Sequence, residues 1–297
     1  MTMIQTRDGT SLRVKTLGEG RPVVLIHGWP LSADSWDPVM IALAEAGYRA
    51  IAYDRRGFGR SDQPARGYDY DTFTDDLADV MEATKAVDDV ALVGFSMGGG
   101  EIARYMSRHG GRGVTQAVLV SSVVPYMLQT DDNPHGVPER VFQEMTEGMT
   151  SDFRKFFTGF FKEFYGVGLL SHPVGDEELQ WAWNTAMQSG QYAAIQSAAA
   201  FAYTDFRSDL PHFTVPTLVI HGTADATVPI EATGRAVAAQ VPSADLVEYE
   251  GEPHGLFATQ TQRLCNDLVA FLGGDRIEAR QGMLDAMTAD TLAMGTL

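Results

Sequence analysis

The chain is predicted to be α/β, with a mostly parallel central sheet covered by helices on both faces. Three observations predict this. Six apolar runs are too short and too rich in β-branched residues to be separate helices: VVLI (23–26), YRAIAY (48–53), VALVGF (90–95), AVLVSS (117–122), TLVIH (217–221) and ADLVEYE (244–250). Helical patterns lie between most of them, at 36–46, 71–86, 97–109, 230–240 and 259–272. The strands read as continuous apolar runs rather than as alternating ones, which is the pattern of a sheet buried on both sides.

The elements follow in chain order. IQTR, then Asp8-Gly9, then SLRVKTL reads as an N-terminal hairpin, because Asp-Gly between two strand-like runs is a strong turn signal. Strand and helix then alternate as far as the run ending at 122. Between about 124 and 212 the alternation stops, and the segment is helical and rich in aromatics. Phe153, Phe156, Phe157, Phe160, Phe161, Phe164 and Tyr165 step by three and one, which sets them along one stripe of a helix. Two uses of that stripe stand side by side. It packs a helical insertion onto the main domain, or part of it roofs an apolar pocket. Trp181 and Trp183 suit either use. Strand and helix resume after 212. The division expected is a main domain of 1–123 and 213–273, a helical cap of 124–212 and a C-terminal extension of 274–297. In the extension, Ile277, Leu284, Met287 and Leu292 are spaced for a short amphipathic helix that docks on this chain or on a second copy in a homo-oligomer; a loose tail is the alternative.

Bulk properties narrow the function classes. The 297 residues, 44% of them hydrophobic, suffice for one large core with or without a lid. A net charge of −17 makes nucleic acid and anionic membrane poor partners. One cysteine, Cys265, leaves no disulfide framework and no Cys-rich metal site, a composition that suits a cytoplasmic protein. The polar start MTMIQTRDGT is read as carrying no signal peptide, and no run approaches the length of a membrane span.

The chemistry centres on GFSMGGG (94–100). Gly94-Phe95-Ser96-Met97-Gly98 fits G-x-S-x-G, with a predicted strand before it and a predicted helix after it. In that setting the glycines permit a sharp bend that presents the serine, and the helix N-terminus adds free N–H groups. A serine hydroxyl is a weak nucleophile and needs a base, and the base needs an orienting acid. On this architecture the acid and histidine follow the serine, on loops at strand C-terminal ends. TLVIHGTADATVP places Asp225 four residues past its strand, and ADLVEYEGEPHG places His254 just past the next. His27 precedes the serine and has the wrong order for the base. His221 is read as a buried, hydrogen-bonded histidine, and Asp54 as a partner for nearby arginines. No pair of histidines has metal-ligand spacing, so no metal is expected. The oxyanion that forms in acyl transfer needs two N–H donors. Met97, next to the serine, is one, and Trp29 in the VVLIHGWP loop is the other.

HGWPLSADSWDPVM, AYDRRGFGRSDQP, GFSMGGGE, HGTADATVP and EGEPHG, taken together over residues 1–273, resemble the cofactor-free bacterial haloperoxidases. That group belongs to the α/β-hydrolase fold and includes arylesterases, perhydrolases and related γ-lactamases. The resemblance implies Ser96 as nucleophile, Asp225 as acid, His254 as base, Trp29 and Met97 as oxyanion donors, and no cofactor. It implies hydrolysis of small carboxylic esters, with hydrogen peroxide able to replace water and the released peracid oxidising halide. Against the acyl group the expected residues are Trp29, Phe95, Phe157, Phe161 and Trp183. One departure is Ala224, where the family commonly has a second acid beside the triad aspartate. Two other functions remain open at this level: lactam or amide hydrolysis by the same triad, and a non-catalytic small-molecule receptor.

Overall fold

The computed structural model describes residues 2–274. The expected C-terminal helix with Ile277, Leu284, Met287 and Leu292 lies outside the described residues. Eight strands form one sheet: β1 (Thr2–Gln5), β2 (Ser11–Leu17), β3 (Arg21–Ile26), β4 (Tyr48–Tyr53), β5 (Val90–Phe95), β6 (Val114–Val120), β7 (Thr217–Gly222) and β8 (Ala244–Tyr249). Their spatial order is β1-β2-β4-β3-β5-β6-β7-β8. The Asp8-Gly9 hairpin pairs β1 with β2, and β2 pairs antiparallel with β4. From β4 to β8 every neighbouring pair is parallel.

Burial explains why the strands carry continuous apolar runs. Successive side chains of a strand point to opposite faces, yet every residue of β5 and of β7 is buried. Both faces of the sheet centre are therefore covered. The covering helices are α1 (Asp37–Glu45), α2 (Tyr70–Ala83), α3 (Met97–Arg108), α7 (Gly234–Gln240), α8 (Leu256–Thr259) and α9 (Thr261–Leu272), with α1 packed on α9 and α2 on α3. Each fully buried Val, Leu or Ile contributes about 1.5–3 kcal/mol, so this sheet centre is the main source of stability.

Local chemistry sets the element ends. The run expected at 117–122 stops at Val120 because Ser121 turns the chain with φ 44°. The pattern expected from 230 becomes helical only at Gly234, since Ala232 and Thr233 first donate to Pro229 and Ile230 in a turn. The pattern expected from 259 is α9, which begins only at Thr261, because the non-helical Gln260 separates it from α8, which ends at Thr259.

Between β6 and β7 lie α4 (Glu139–Phe164), α5 (Asp176–Ala186) and α6 (Gln191–Tyr203). Asp152 breaks α4 with φ −152° and ψ 87°, and its carboxylate accepts the Lys155 N–H at 3.0 Å, capping the second run. All seven aromatics of the 153–165 stripe belong to that second run and the residue that ends it. Among the described residues no helix is long and apolar enough to cross a membrane.

Candidate active site

The site begins where β5 ends. Ser96 sits between β5 and α3 with φ 52° and ψ −117°, a conformation that costs a non-glycine residue roughly 1–3 kcal/mol. Its surroundings hold it there. Ser96 N donates to Val120 O at 2.8 Å, and Ser96 O accepts from Gly99 N at 3.0 Å and Val123 N at 3.3 Å. The flanking glycines are required by close approach. A Cβ on Gly94 would lie 2.6 Å from the Gly98 carbonyl carbon, and one on Gly98 would strike the Ile26 carbonyl oxygen.

The loops after β7 and β8 bring the other two groups to this turn. His254 is 1% exposed, and its Nε2 is 3.0 Å from Ser96 Oγ. Its Nδ1 is 2.6 Å from Asp225 Oδ2. Phe95 and Phe164 flank the imidazole, with ring centroids 5.0 and 4.9 Å away. The carboxylate of Asp225 is itself held. Oδ1 accepts the N–H groups of Thr227 and Val228 at 3.0 and 2.7 Å. Oδ2 is also 3.3 Å from His221 Nε2, which lies 2.9 Å from Val228 O. Two acceptor oxygens face that nitrogen, so Nε2 of His221 carries the proton. Burial alone would raise the Asp225 carboxyl; the His254 and His221 rings beside it outweigh burial and hold it below the usual carboxylate range.

Of the two expected oxyanion donors, Met97 follows the serine, and Trp29 follows Gly28, which lies against it: a Cβ on Gly28 would be 3.1 Å from Ser96 Cβ. Neither Trp29 N nor Met97 N has a hydrogen-bond acceptor among the described residues. The Trp29 indole N–H donates to Ala194 O at 3.0 Å, which ties its loop to α6. Ser96, His254 and Trp29 open together onto a cavity of about 340 Å³. The rest of its wall is mostly apolar and includes the rings of Phe142, Phe156, Phe160 and Phe201.

The structure places Trp29 in that wall but not Phe95, Phe157, Phe161 or Trp183. Phe95 supports His254 from behind. Phe157 and Phe161 are 0% and 1% exposed, and with Trp183 they belong to a separate groove between α4 and α5. Helical geometry is the reason. Phe153, Phe157, Phe161 and Phe164 follow one line of the helix and form the packing face. Phe156, Phe160 and Glu163 follow the next line, roughly 100° round, and face the cavity. The i, i+4, i+7 spacing of those three was the available signal.

The competing residues have other partners. His27 is wholly buried, its Nδ1 2.8 Å from Gly28 O and its Nε2 accepting from Arg55 N at 3.0 Å. Asp54 accepts the Ala33 and Arg60 N–H groups at 2.8 and 2.9 Å and pairs with Arg13. Glu101, in the first turns of α3, accepts from Arg55 Nε at 2.5 Å and from the Tyr53 hydroxyl. No group of three or more His, Cys, Asp or Glu among the described residues is arranged to hold a metal ion.

Comparison with known proteins places the chain in a family. The family model of the alpha/beta hydrolase fold matches residues 21–261. The chain is 42% identical over 274 residues to a non-heme chloroperoxidase of Kitasatospora aureofaciens, covering 92% of this chain and 99% of that one. It is 38% identical over 279 residues to a bifunctional esterase/perhydrolase of Acinetobacter calcoaceticus, with the same two coverages of 92% and 99%. Among solved structures, a bromoperoxidase from Bacillus anthracis superposes with a TM-score of 0.88 at 40% identity, over 92% of this chain and 99% of that one. The chain thus belongs to the α/β-hydrolase family, within its branch of cofactor-free haloperoxidases.

Proposed function

We propose that this protein is a serine hydrolase of small carboxylic esters that also transfers the acyl group to hydrogen peroxide. The observation that carries the reading is the unbroken hydrogen-bond chain Ser96–His254–Asp225 opening onto an apolar cavity. Ser96 Oγ attacks the ester carbonyl while His254 Nε2 takes its proton. Asp225 keeps the Nδ1–H of His254 oriented and supports the imidazolium. The Trp29 and Met97 N–H groups receive the oxyanion. The imidazolium then gives its proton to the departing alkoxide, leaving an acyl-enzyme. Water, deprotonated by His254, releases the carboxylic acid. Hydrogen peroxide in place of water releases a peracid, and a peracid oxidises halide in solution.

The names of the relatives, a chloroperoxidase and an esterase/perhydrolase, support both outcomes at one site. The apolar wall supports small neutral acyl groups. The lone cysteine, buried in α9, supports a cytoplasmic setting. The test is hydrolysis of p-nitrophenyl acetate by wild type and Ser96→Ala, each with and without hydrogen peroxide. The expected result is a loss of roughly 10⁶ in turnover in the variant, with peroxide diverting wild-type product to peracid. A Ser96→Ala protein that keeps its esterase activity overturns the reading.

A further inference from the structure

The cavity holds a charged group that the proposed chemistry does not use. Of the side chains in its wall, Glu163 is the one carboxylate, and no lysine or arginine lines it. Glu163 is exposed to solvent, so it stands where the cavity meets solvent. No Lys, Arg or His among the described residues lies within 4 Å of its carboxylate. The adjacent Lys162 belongs to the separate groove with Phe157 and Phe161. Glu163 is also the penultimate residue of α4. A carboxylate there opposes the helix dipole, whose C-terminal end is already negative. The local fold thus gains nothing electrostatically from this residue, and the helix end adds to its negative potential at the mouth. Behind it, the rings of Trp29, Phe156 and Phe160 line the wall; such rings attract a cation, and their side chains hold no free donor for an anion, the Trp29 indole N–H being taken by Ala194 O.

We propose that Glu163 is a charge filter on the acyl-binding cavity, which selects neutral and cationic esters over esters that carry a carboxylate. The proposal rests on the esterase reading above and adds a substrate class to it. A carboxylate-bearing acyl chain reaching the mouth meets a fixed like charge beside low-dielectric walls. A quaternary ammonium in the same place meets an opposite charge and aromatic rings. The carboxylate product of hydrolysis is likewise disfavoured once formed, so it leaves readily and inhibits weakly.

Three p-nitrophenyl esters of matched length test this: butyrate, the glutarate half-ester, and a trimethylammonium-tipped chain. They are compared on wild type, Glu163→Gln and Glu147→Gln, at low and high salt. Glu147 is exposed on the same helix outside the cavity wall and controls for the net charge of −17. In Glu163→Gln the anionic-to-neutral ratio of kcat/KM is expected to rise about fivefold, and the cationic-to-neutral ratio to fall by a similar factor. High salt is expected to compress the wild-type ratios toward those of the variant. Unchanged ratios in Glu163→Gln, or equal shifts in Glu147→Gln, overturn the proposal. Binding of phenylacetate, followed by calorimetry, gives a readout that does not depend on turnover. It is expected to be about fivefold tighter in Glu163→Gln, and equal affinity overturns the filter. If wild type splits none of the three esters, the esterase reading fails, and the binding experiment still decides the role of Glu163.

Discussion

Replacing Asp225 by Asn tests the orienting role proposed for its carboxylate while keeping its size. The four contacts of Asp225 dictate how the amide must sit. Oδ1 is committed to the Thr227 and Val228 N–H groups at 3.0 and 2.7 Å, so the amide oxygen takes that place. Turning the amide over would set two donors against two donors, at about 1–3 kcal/mol for each buried group left unsatisfied. The amide nitrogen therefore occupies the Oδ2 place, 2.6 Å from His254 Nδ1. It donates, so Nδ1 must accept, and the proton moves to Nε2. That nitrogen, 3.0 Å from Ser96 Oγ, then has no lone pair with which to take the serine's proton.

The wrong tautomer is expected to cost roughly 10⁴ in kcat, which is the cost of the same change in another Ser-His-Asp enzyme and corresponds to about 5.4 kcal/mol of barrier. The assay is steady-state turnover of p-nitrophenyl acetate, with thermal unfolding run beside it to show that the variant is folded. His221 Nε2 keeps Val228 O at 2.9 Å, so the loop retains an anchor. A folded Asp225→Asn protein with less than a tenfold loss would refute the reasoning, because His254 would then not depend on Asp225 for its tautomer.

Two further predictions follow from buried charge. Asp225 is held at about 2 in the folded state, against 3.8 for an ordinary aspartate, so its contribution is complete above about pH 4 and is lost as pH falls toward 2. Urea unfolding of wild type and Asp225→Asn should show their stability difference shrinking by about 2 kcal/mol over that interval, and a constant difference would rule this out. Glu101→Ala removes the carboxylate that meets Arg55 and the Tyr53 hydroxyl, leaving a guanidinium that is 1% exposed without its counter-charge. A loss of about 3–5 kcal/mol in chemical denaturation is expected, and a loss below about 1 kcal/mol would show that Arg55 finds another partner.

The aromatic helix shows what was legible in the sequence and where legibility stopped. The elbow could be read because its requirements are local: a strand run, Gly94 and Gly98 spaced about Ser96, then a helix. Asp225 and His254 could be read because strand ends in a parallel sheet share one edge, so chain order alone brings them together. The cavity wall depends instead on the rotation of α4 about its own axis. Phe160 and Phe161 are neighbours of the same type on the same stripe, and composition does not say which one faces inward. That choice is made by contacts distant in sequence, where Trp29 meets Phe160 edge to face at 5.2 Å and Phe161 shares a groove with Leu179 and Trp183 of α5. The distinction has a direct test. Phe160→Ala opens the cavity by most of an aromatic ring, so p-nitrophenyl hexanoate should gain on the acetate by about fourfold in kcat/KM for each extra methylene it buries. Phe161→Ala removes a ring that is 1% exposed in the packing face, so it should cost about 3–5 kcal/mol of stability and leave the hexanoate-to-acetate ratio where it was. If both substitutions shift the ratio alike, α4 does not present these two faces to different surroundings, and the assignment of Phe160 to the acyl cavity fails.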